Sequence, residues 1–246
     1  MTPDKYNRLL EMLADSPTAL VCNAYDFMGL HAPCTDWNIR YATPAAPPVT
    51  GVAITIKLWC STPDDLYIPE PSHRGGQLFS EMMEQARTSG MPRIAVIQSM
   101  GEKHRGAVLG DGMAKSMLAA GICGCVTDGA ARDIEGIEKT GLRLFCGGLV
   151  PNHYSLHWAG LGEPAEIGGL VIKTGDILHG DRDGVIVLPE EGWGRVVSAC
   201  RLAQDFEKSA HVLARRRDLT PAQIDSEIGA LARRCRASVS ELADEL

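Results

Sequence analysis

Three residues in the middle of the chain have the types and the spacing to do chemistry together. Asp111 lies between Gly110 and Gly112, and after twenty further residues Arg132 and Asp133 stand side by side. A guanidinium group binds a carboxylate or an enolate oxygen through charge-assisted hydrogen bonds. A carboxylate that leaves room for several waters suits Mg²⁺ or Mn²⁺. The pattern therefore predicts a site that holds an anionic substrate and a hard cation together.

Each of these residues also has an ordinary structural role open to it. Asp111 can cap a predicted helix at 111–120, because short acidic side chains accept hydrogen bonds from the first helical amides. Arg132 and Asp133 can form a surface ion pair, or cap a predicted helix at 134–140. From the residue types alone, the catalytic and the structural interpretations both stay open.

The elements that would position these residues alternate between strand and helix. The start of a helix after Gly110 favours a bound carboxylate or phosphate, because its amides are unpaired and the helix dipole lies behind them. Arg132 and Asp133 follow a buried strand and an Asp128-Gly129 turn. Helices are predicted at 4–14, 75–89, 111–120 and 134–140, strands at 49–58, 93–99, 122–127 and 142–146, and irregular structure at 15–48, which is rich in proline.

The second half of the chain has a different pattern. The elements predicted there are a β-meander over 164–188 with a hairpin turn at 181–184, and helices over 191–217 and 221–246. Thr220 and Pro221 have the types favoured at an N-cap and at the first helical position. The whole order predicts an α/β domain over residues 1–217 and a helical extension over 218–246.

Composition excludes several classes of protein. The chain has 246 residues and a net charge of −7, from 24 basic and 31 acidic residues, which argues against nucleic acid as a partner. No apolar stretch approaches the ~18 residues of a membrane span, and the first residues do not resemble a signal peptide. The eight cysteines include no CxxC pair, so a zinc ribbon is not indicated. Free thiols in the cytoplasm are the expectation.

Some other cysteines and histidines have spacings that suggest a site but favour packing. Cys123 and Cys125 are two apart on a strand, so both thiols are expected on one face, within the core. His153 and His157 have the spacing of two metal ligands on a helix. Because glycines and a proline flank them, we expect a loop or a packing role instead.

The segment 106–133, GAVLGDGMAKSMLAAGICGCVTDGAARD, resembles the signature of the RraA-like family. That family includes the 4-hydroxy-4-methyl-2-oxoglutarate / 4-carboxy-4-hydroxy-2-oxoadipate aldolases. Two later stretches, 168–176 and 181–190, resemble the family in the same order. The resemblance extends over roughly residues 20–210 and is strongest from 106 to 190.

The resemblance implies a fold and an assembly. The fold would be a swivelling phosphohistidine-domain-like αββα sandwich, here with a helical C-terminal tail. The assembly would be a homotrimer or a hexamer with active sites between subunits.

The resemblance also implies a role for each site residue. Asp133 would bind Mg²⁺ or Mn²⁺ directly, and Asp111 would hold a metal-bound water. Arg132 would contact the oxo oxygen of the substrate and steady the enolate. Glu207, from the C-terminal helix of a neighbouring subunit, would hold a further metal water. The substrate carboxylate would be bound by backbone amides in the loop of Gly110, Gly112, Met113 and Ala114.

The implied activity is that of a divalent-metal-dependent lyase. It would cleave a 4-hydroxy-2-oxo acid to pyruvate and a second oxo acid, and would also decarboxylate oxaloacetate. One alternative is a lyase or hydratase acting on a sugar acid, with His73, Arg74 and Lys103 near a polyhydroxylated substrate. Another is a non-catalytic RraA-like regulator that binds a ribonuclease.

Overall fold

The computed structural model describes residues 2–44, 46–61, 75–101, 103–153 and 155–245. Strands and helices alternate in its central part, from residue 49 to residue 146. The helices are α1 (Pro3–Leu13), α2 (Thr18–Phe27), α3 (Gly75–Thr88), α4 (Asp111–Ala119), α5 (Ile134–Thr140), α6 (Val196–Ala214) and α7 (Pro221–Ser240). The strands are β1 (Arg40–Tyr41), β2 (Val49–Ser61), β3 (Arg93–Gly101), β4 (Ala107–Leu109), β5 (Ile122–Thr127), β6 (Ala130–Ala131), β7 (Arg143–Cys146), β8 (Gly148–Leu149), β9 (Ser155–Ala159), β10 (Ala165–Ile167), β11 (Leu170–Ile172), β12 (Ile177–Asp181) and β13 (Gly184–Val187).

The main sheet is mixed, with a parallel centre. Its strand order is β1-β7-β5-β3-β2-β12-β13, and β9 pairs with the end of β2. Strands β2, β3, β5 and β7 run parallel, and the other pairings are antiparallel. Parallel neighbours need crossover connections, and α3, α4 and α5 provide them. The predicted α/β class is therefore confirmed, while the likeness to a swivelling phosphohistidine-like αββα sandwich stays a prediction.

A second, small sheet lies where the parallel strands end. Strands β4, β6 and β8 pair in that order, all parallel, and they follow β3, β5 and β7 in the chain. The extensions of the central strands therefore meet at one edge of the main sheet. This edge carries the predicted site.

The strands are buried on both faces because the sheet is covered on both sides. One core cluster holds Ile54, Ile56, Ile97 and Leu144 against Met82, Met117 and Ile137 of the crossover helices. A second holds Ala53, Val96, Val126 and Phe145 against Ala165 and Ile172 of the β10–β11 hairpin. A third holds Leu9, Tyr25, Val196 and Val239, from α1, α2, α6 and α7.

Most of the predicted elements are present, and the central helix at 134–140 has the predicted bounds. The irregular structure predicted for 15–48 is wrong over α2, where Val21, Ala24 and Tyr25 are buried. Prolines favoured a loop, but Pro17 stands just before the helix, where a missing N–H costs nothing.

The β-meander predicted over 164–188 is instead two separate hairpins. Strands β10 and β11 form a sheet of their own, while β12 and β13 join the edge of β2. The tight turn at 181–184 is confirmed, and in it the Asp183 amide donates to Asp181 Oδ1 at 2.9 Å.

The two thiols on β5 do not share a face, contrary to the prediction. Arg93 pairs with Ile122 but Ile94 pairs with Gly124, so Cys123 is the extra residue of a bulge. Cys125 is buried in the cluster under the crossover helices, whereas Cys123 packs towards the β10–β11 side. The bulge reverses the alternation that the sequence implied.

The last two helices pack on the same core as the first two. Helix α6 contacts α2 and α7, and Cys235 and Val239 of α7 are buried. Thr220 caps α7 as predicted, because its side chain accepts from the Gln223 amide and Gln223 reaches back in a capping box. The division between 1–217 and 218–246 stays a prediction. None of the helices in the described part of the chain is long and apolar enough for a membrane span.

Candidate active site

The Arg132-Asp133 pair lies at the end of β6, beside the loop that follows β4. The Arg132 amide donates to Leu109 O at 2.9 Å. This hydrogen bond fixes the position of the pair relative to the loop. Asp133 has φ 55° and ψ 39°, and it is the one non-glycine residue with a positive φ among those that the structure describes. This left-handed conformation is costly for a residue with a side chain, and such strain is concentrated at functional sites.

The Asp133 carboxylate does not cap helix α5. Asp133 holds the N-cap position, and its carbonyl accepts from the Ile137 amide at 3.0 Å, but its side chain makes no cap hydrogen bond. Its Oδ2 lies 3.4 Å from Arg132 Nε instead, and the side chain is 45% exposed. Capping by the Asp133 side chain is therefore excluded, whereas its ion pair with Arg132 is present and leaves the carboxylate partly exposed.

Gly110 is the residue that the pair packs against. A Cβ built on Gly110 would lie 3.1 Å from Asp133 Oδ2 and 3.4 Å from Arg132 Nε. Contacts this short require the neighbouring atoms to move. Glycine at 110 thus lets the loop approach both functional side chains.

Asp111 is the first residue of α4 rather than its cap, which is Gly110. Its Oδ2 accepts from Lys115 Nζ at 2.6 Å, one turn later. This hydrogen bond, followed by the charge of Lys115 and by smaller effects of the Gly112 amide and Arg132, lowers the pKa of Asp111. The carboxylate therefore stays ionised to a lower pH than a free aspartate does.

These residues line one pocket of about 300 Å³. Its lining residues are Ala107, Leu109, Gly110, Asp111, Gly112, Met113, Arg132, Asp133, His153 and Leu156. A shallower depression of about 400 Å³ continues from Arg132 and Asp133 to Ile134, Leu149, Val150 and Pro151. The structure thus brings Asp111, Arg132, Asp133 and the glycine loop together in one pocket, while their roles stay predictions.

Two members of the predicted set, Ala114 and Glu207, do not line this pocket. Ala114 is fully buried, and its amide already donates to Gly110 O at 3.0 Å. The amides that precede this first helical bond, those of Asp111, Gly112 and Met113, are the ones left for a ligand. Glu207 lies on α6, where its Oε1 accepts from Asn23 Nδ2 at 2.7 Å. Its role towards a neighbouring subunit stays a prediction.

His153 also lines the pocket, although the sequence favoured a loop or packing role for it. The chain around it is held by backbone bonds: Val150 N to Ala131 O at 3.0 Å and Ala107 N to Asn152 O at 2.7 Å. The thiol of Cys60 donates to His153 O at 3.1 Å. No local signal places it there, because its position depends on the pairing of β8 with β6. His157 lies on β9 opposite Trp59, so the two histidines do not share a helix.

Lys103 lies in a different cavity, of about 570 Å³, lined also by Gln98, His104 and Asp128. Its ammonium pairs with Asp128, whose side chain is only 8% exposed and whose Oδ1 accepts from the Ser99 amide at 2.7 Å. His73 and Arg74, which were considered with Lys103 for a sugar-acid substrate, lie outside the described residues. Lys103 does not line the pocket of Arg132.

The donor set of the pocket fits a largely hydrated cation. Asp133 and Asp111 supply two partly exposed carboxylates. No group of three histidine, cysteine or acidic side chains suited to a metal occurs among the described residues. Mg²⁺ usually keeps several waters and takes one or two carboxylates, so this pocket matches its needs better than those of zinc.

Comparison with known proteins identifies the family. The family description "RraA-like: Aldolase/RraA" matches residues 18–187, which is more than half of the chain. The chain belongs to the RraA-like family.

Curated relatives within the RraA-like family match part of the chain. A protein of Halalkalibacterium halodurans is 37% identical over 101 residues, which are 39% of this chain and 46% of that protein. A protein of Hahella chejuensis is 32% identical over 112 residues, which are 45% of this chain and 68% of that protein. Both carry the name "Putative 4-hydroxy-4-methyl-2-oxoglutarate aldolase". The match thus spans less than half the length of the first of these relatives.

A solved RraA-like structure has the same fold. Streptomyces coelicolor RraAS2, described as an unusual member of the RNase ES inhibitor RraA protein family, matches with a TM-score of 0.63. The match covers 85% of this chain and 96% of that one at 22% identity. At this identity the likeness supports the fold and not a shared activity.

Proposed function

We propose that this RraA-like protein is a divalent-metal-dependent lyase that cleaves a 4-hydroxy-2-oxo acid to pyruvate and a second oxo acid. The observation that carries the proposal is the single pocket shared by Asp111, Arg132, Asp133 and the start of α4. The names of the curated relatives support the same reaction class. Sugar acids are the less favoured substrates, because Lys103 lies in another cavity.

Different residues of the pocket bind different groups of the substrate. The amides of Gly112 and Met113, at the positive end of α4, bind the substrate carboxylate. The Arg132 guanidinium donates to the neighbouring oxo oxygen. Asp133 would hold Mg²⁺ or Mn²⁺ directly, and Asp111 would hold one of the waters of that ion. When bound, the cation supplies Lewis-acid polarisation of the oxo group.

Cleavage moves negative charge towards Arg132. The electron pair of the C3–C4 bond passes to C2–C3, so the oxo oxygen of the pyruvate half becomes an enolate oxygen. A fixed cation aimed at an oxygen where charge develops stabilises the transition state more than the ground state. Oxaloacetate loses CO₂ through the same enolate, so the same groups support its decarboxylation.

The proposed assembly is a homotrimer or a hexamer. A neighbouring subunit would then cover the depression beside Leu149, and its Glu207 would hold a further water of the metal ion. The exposed position of Leu149, at 54%, supports a covered face next to the pocket.

The test is pyruvate release from 4-hydroxy-4-methyl-2-oxoglutarate and from oxaloacetate, with and without Mg²⁺ or Mn²⁺. The wild type is compared with Asp133→Asn, which keeps the shape and tolerates a positive φ, and with Glu84→Gln on α3 as a control. We expect metal-dependent release that Asp133→Asn abolishes and Glu84→Gln leaves intact. Absence of turnover by folded, metal-loaded protein contradicts the proposal. A ribonuclease-inhibition assay then tests the regulator alternative.

A further inference from the structure

His153 lines the candidate pocket, together with the residues that would bind the substrate. It lines the same cavity as Gly110, Arg132 and Asp133. The carbonyl of Asn152 and that of His153 itself are both hydrogen-bonded, to the Ala107 amide and the Cys60 thiol. The backbone that carries this imidazole is therefore held in place from both sides.

Aldol cleavage needs a group that accepts a proton. The hydroxyl on C4 must lose its hydrogen as C4 becomes a carbonyl, and general bases contribute to such steps when they lie within hydrogen-bond reach. Oxaloacetate has no such hydroxyl, so its decarboxylation needs no base at this position. The two reactions share the enolate and differ in this one proton transfer.

The other titratable groups of the pocket are poorly suited to the task. Arg132 is a cation with no acceptor atom. Asp111 is bound by Lys115 at 2.6 Å, which lowers its pKa and makes it a weak base. Asp133 lies beside Arg132 and is the direct ligand in the proposed function. His153 is the remaining lining residue whose side chain combines an acceptor with the chemistry of a general base.

We propose that His153 is the base that accepts the proton of the substrate's 4-hydroxyl when the C3–C4 bond breaks. The O–H electron pair becomes the second bond of the new C4 carbonyl, and the C3–C4 pair becomes the C2–C3 bond of the enolate. A proton from solvent adds to the enolate at C3 and gives pyruvate, and the imidazolium returns its proton to solvent, so no net proton is consumed. No oxidant, reductant or further reactant is consumed. This inference rests on the lyase activity proposed above.

The experiment compares both reactions in one variant. His153→Gln keeps a hydrogen-bonding side chain but removes the base, and His157→Gln on β9 is the matched control. For His153→Gln we expect kcat of aldol cleavage to fall by about 100-fold or more, the range of a lost general base. Oxaloacetate decarboxylation should stay within about threefold of wild type, because its transition state lacks this proton transfer. Mn²⁺ affinity, measured by calorimetry, should not change.

Three results would overturn the role of His153. They are equal losses in both reactions, no loss in either, and a loss of Mn²⁺ affinity, which would make His153 a metal ligand. Each requires an active wild type, so it is distinct from failure of the lyase proposal. A wild type that turns over neither substrate contradicts the proposed function itself, and the role of His153 with it.

Discussion

The carboxylate of Asp133 and the guanidinium of Arg132 lie 3.4 Å apart, Oδ2 to Nε, and both lie next to the position that a Cβ on Gly110 would occupy. Adjacent residues rarely point their side chains the same way in extended chain, since successive side chains alternate. The left-handed backbone of Asp133 changes that direction and lets both groups reach one pocket. The pair is thus set by an unusual backbone and by a glycine that leaves room for it.

A methyl group at Gly110 should disturb this pair more than it disturbs the fold. In Gly110→Ala the added Cβ would lie 3.1 Å from Asp133 Oδ2, so the carboxylate must move. We expect pyruvate release to fall by about tenfold or more, since small misplacements of positioned groups are costly. The melting temperature should shift by less than about 4 °C.

The control for that variant is Gly76→Ala. Gly76 lies in α3, and a Cβ there meets nothing within 4 Å. In Gly76→Ala, we expect the turnover and the melting temperature to stay close to those of the wild type. Full activity in Gly110→Ala would contradict the close packing of the loop on the pair.

Lys115 should control the ionisation of Asp111. In Lys115→Met the hydrogen bond of 2.6 Å is lost, so the pKa of Asp111 should rise towards its usual value. An acid whose pKa is depressed in the folded state stabilises the fold above its unfolded pKa and loses that effect as the pH falls. The variant should therefore show a weaker loss of stability in acid than wild type. Carboxyl NMR titration measures the shift, and an unchanged titration would exclude the pairing in solution.

His179 should make the fold sensitive to mild acid. Its Nε2 donates to Ser16 O at 2.9 Å, and its Nδ1 accepts from Thr50 Oγ1 at 2.8 Å, which fits a neutral ring. Burial lowers its pKa to about 4, against 6.5 for a free imidazole. Because the unfolded chain binds the proton more readily, the stability from this group is complete above pH 6.5 and is lost towards pH 4.

The size of that effect is about 3 kcal/mol of unfolding free energy, from the shift and ~1.4 kcal/mol per pKa unit. Denaturant titrations at several pH values measure it. His179→Gln has no group to titrate there, so its stability should depend less on pH between 6.5 and 4. Parallel pH curves for the two proteins would contradict a buried neutral imidazole.

Helix α7 should contribute to the folding of the whole chain. Val239 is fully buried against the helices of the third core cluster. Val239→Ala should lower the unfolding free energy by about 2 kcal/mol, the cost of a lost buried side chain and a small cavity. The matched control is Val212, which lies on α6 and is 64% exposed. Val212→Ala should change the unfolding free energy by less than about 0.5 kcal/mol. Equal, small effects would indicate that α7 is detached in solution.

The sequence by itself determined the candidate site residues Asp111, Arg132 and Asp133 and most of the elements that hold them. The apolar run at 122–127, the glycines around Asp111 and the Arg132-Asp133 dipeptide are local signals. Local signals are reliable because strand formation, helix starts and turn chemistry depend mostly on near neighbours along the chain. The family could be inferred for the same reason, since its signature lies within one short segment.

Tertiary structure decided which groups meet. The bulge at Cys123 depends on how β5 pairs with β3, and the separation of the two hairpins depends on which edge strand is free to pair. His153 reaches the pocket because β8 pairs with β6. Strand pairing joins residues that are distant along the chain, and hydrophobic alternation does not specify the partner. Most residues of the candidate site could therefore be predicted from the sequence. Their final positions depend on the pairing of strands that are distant along the chain.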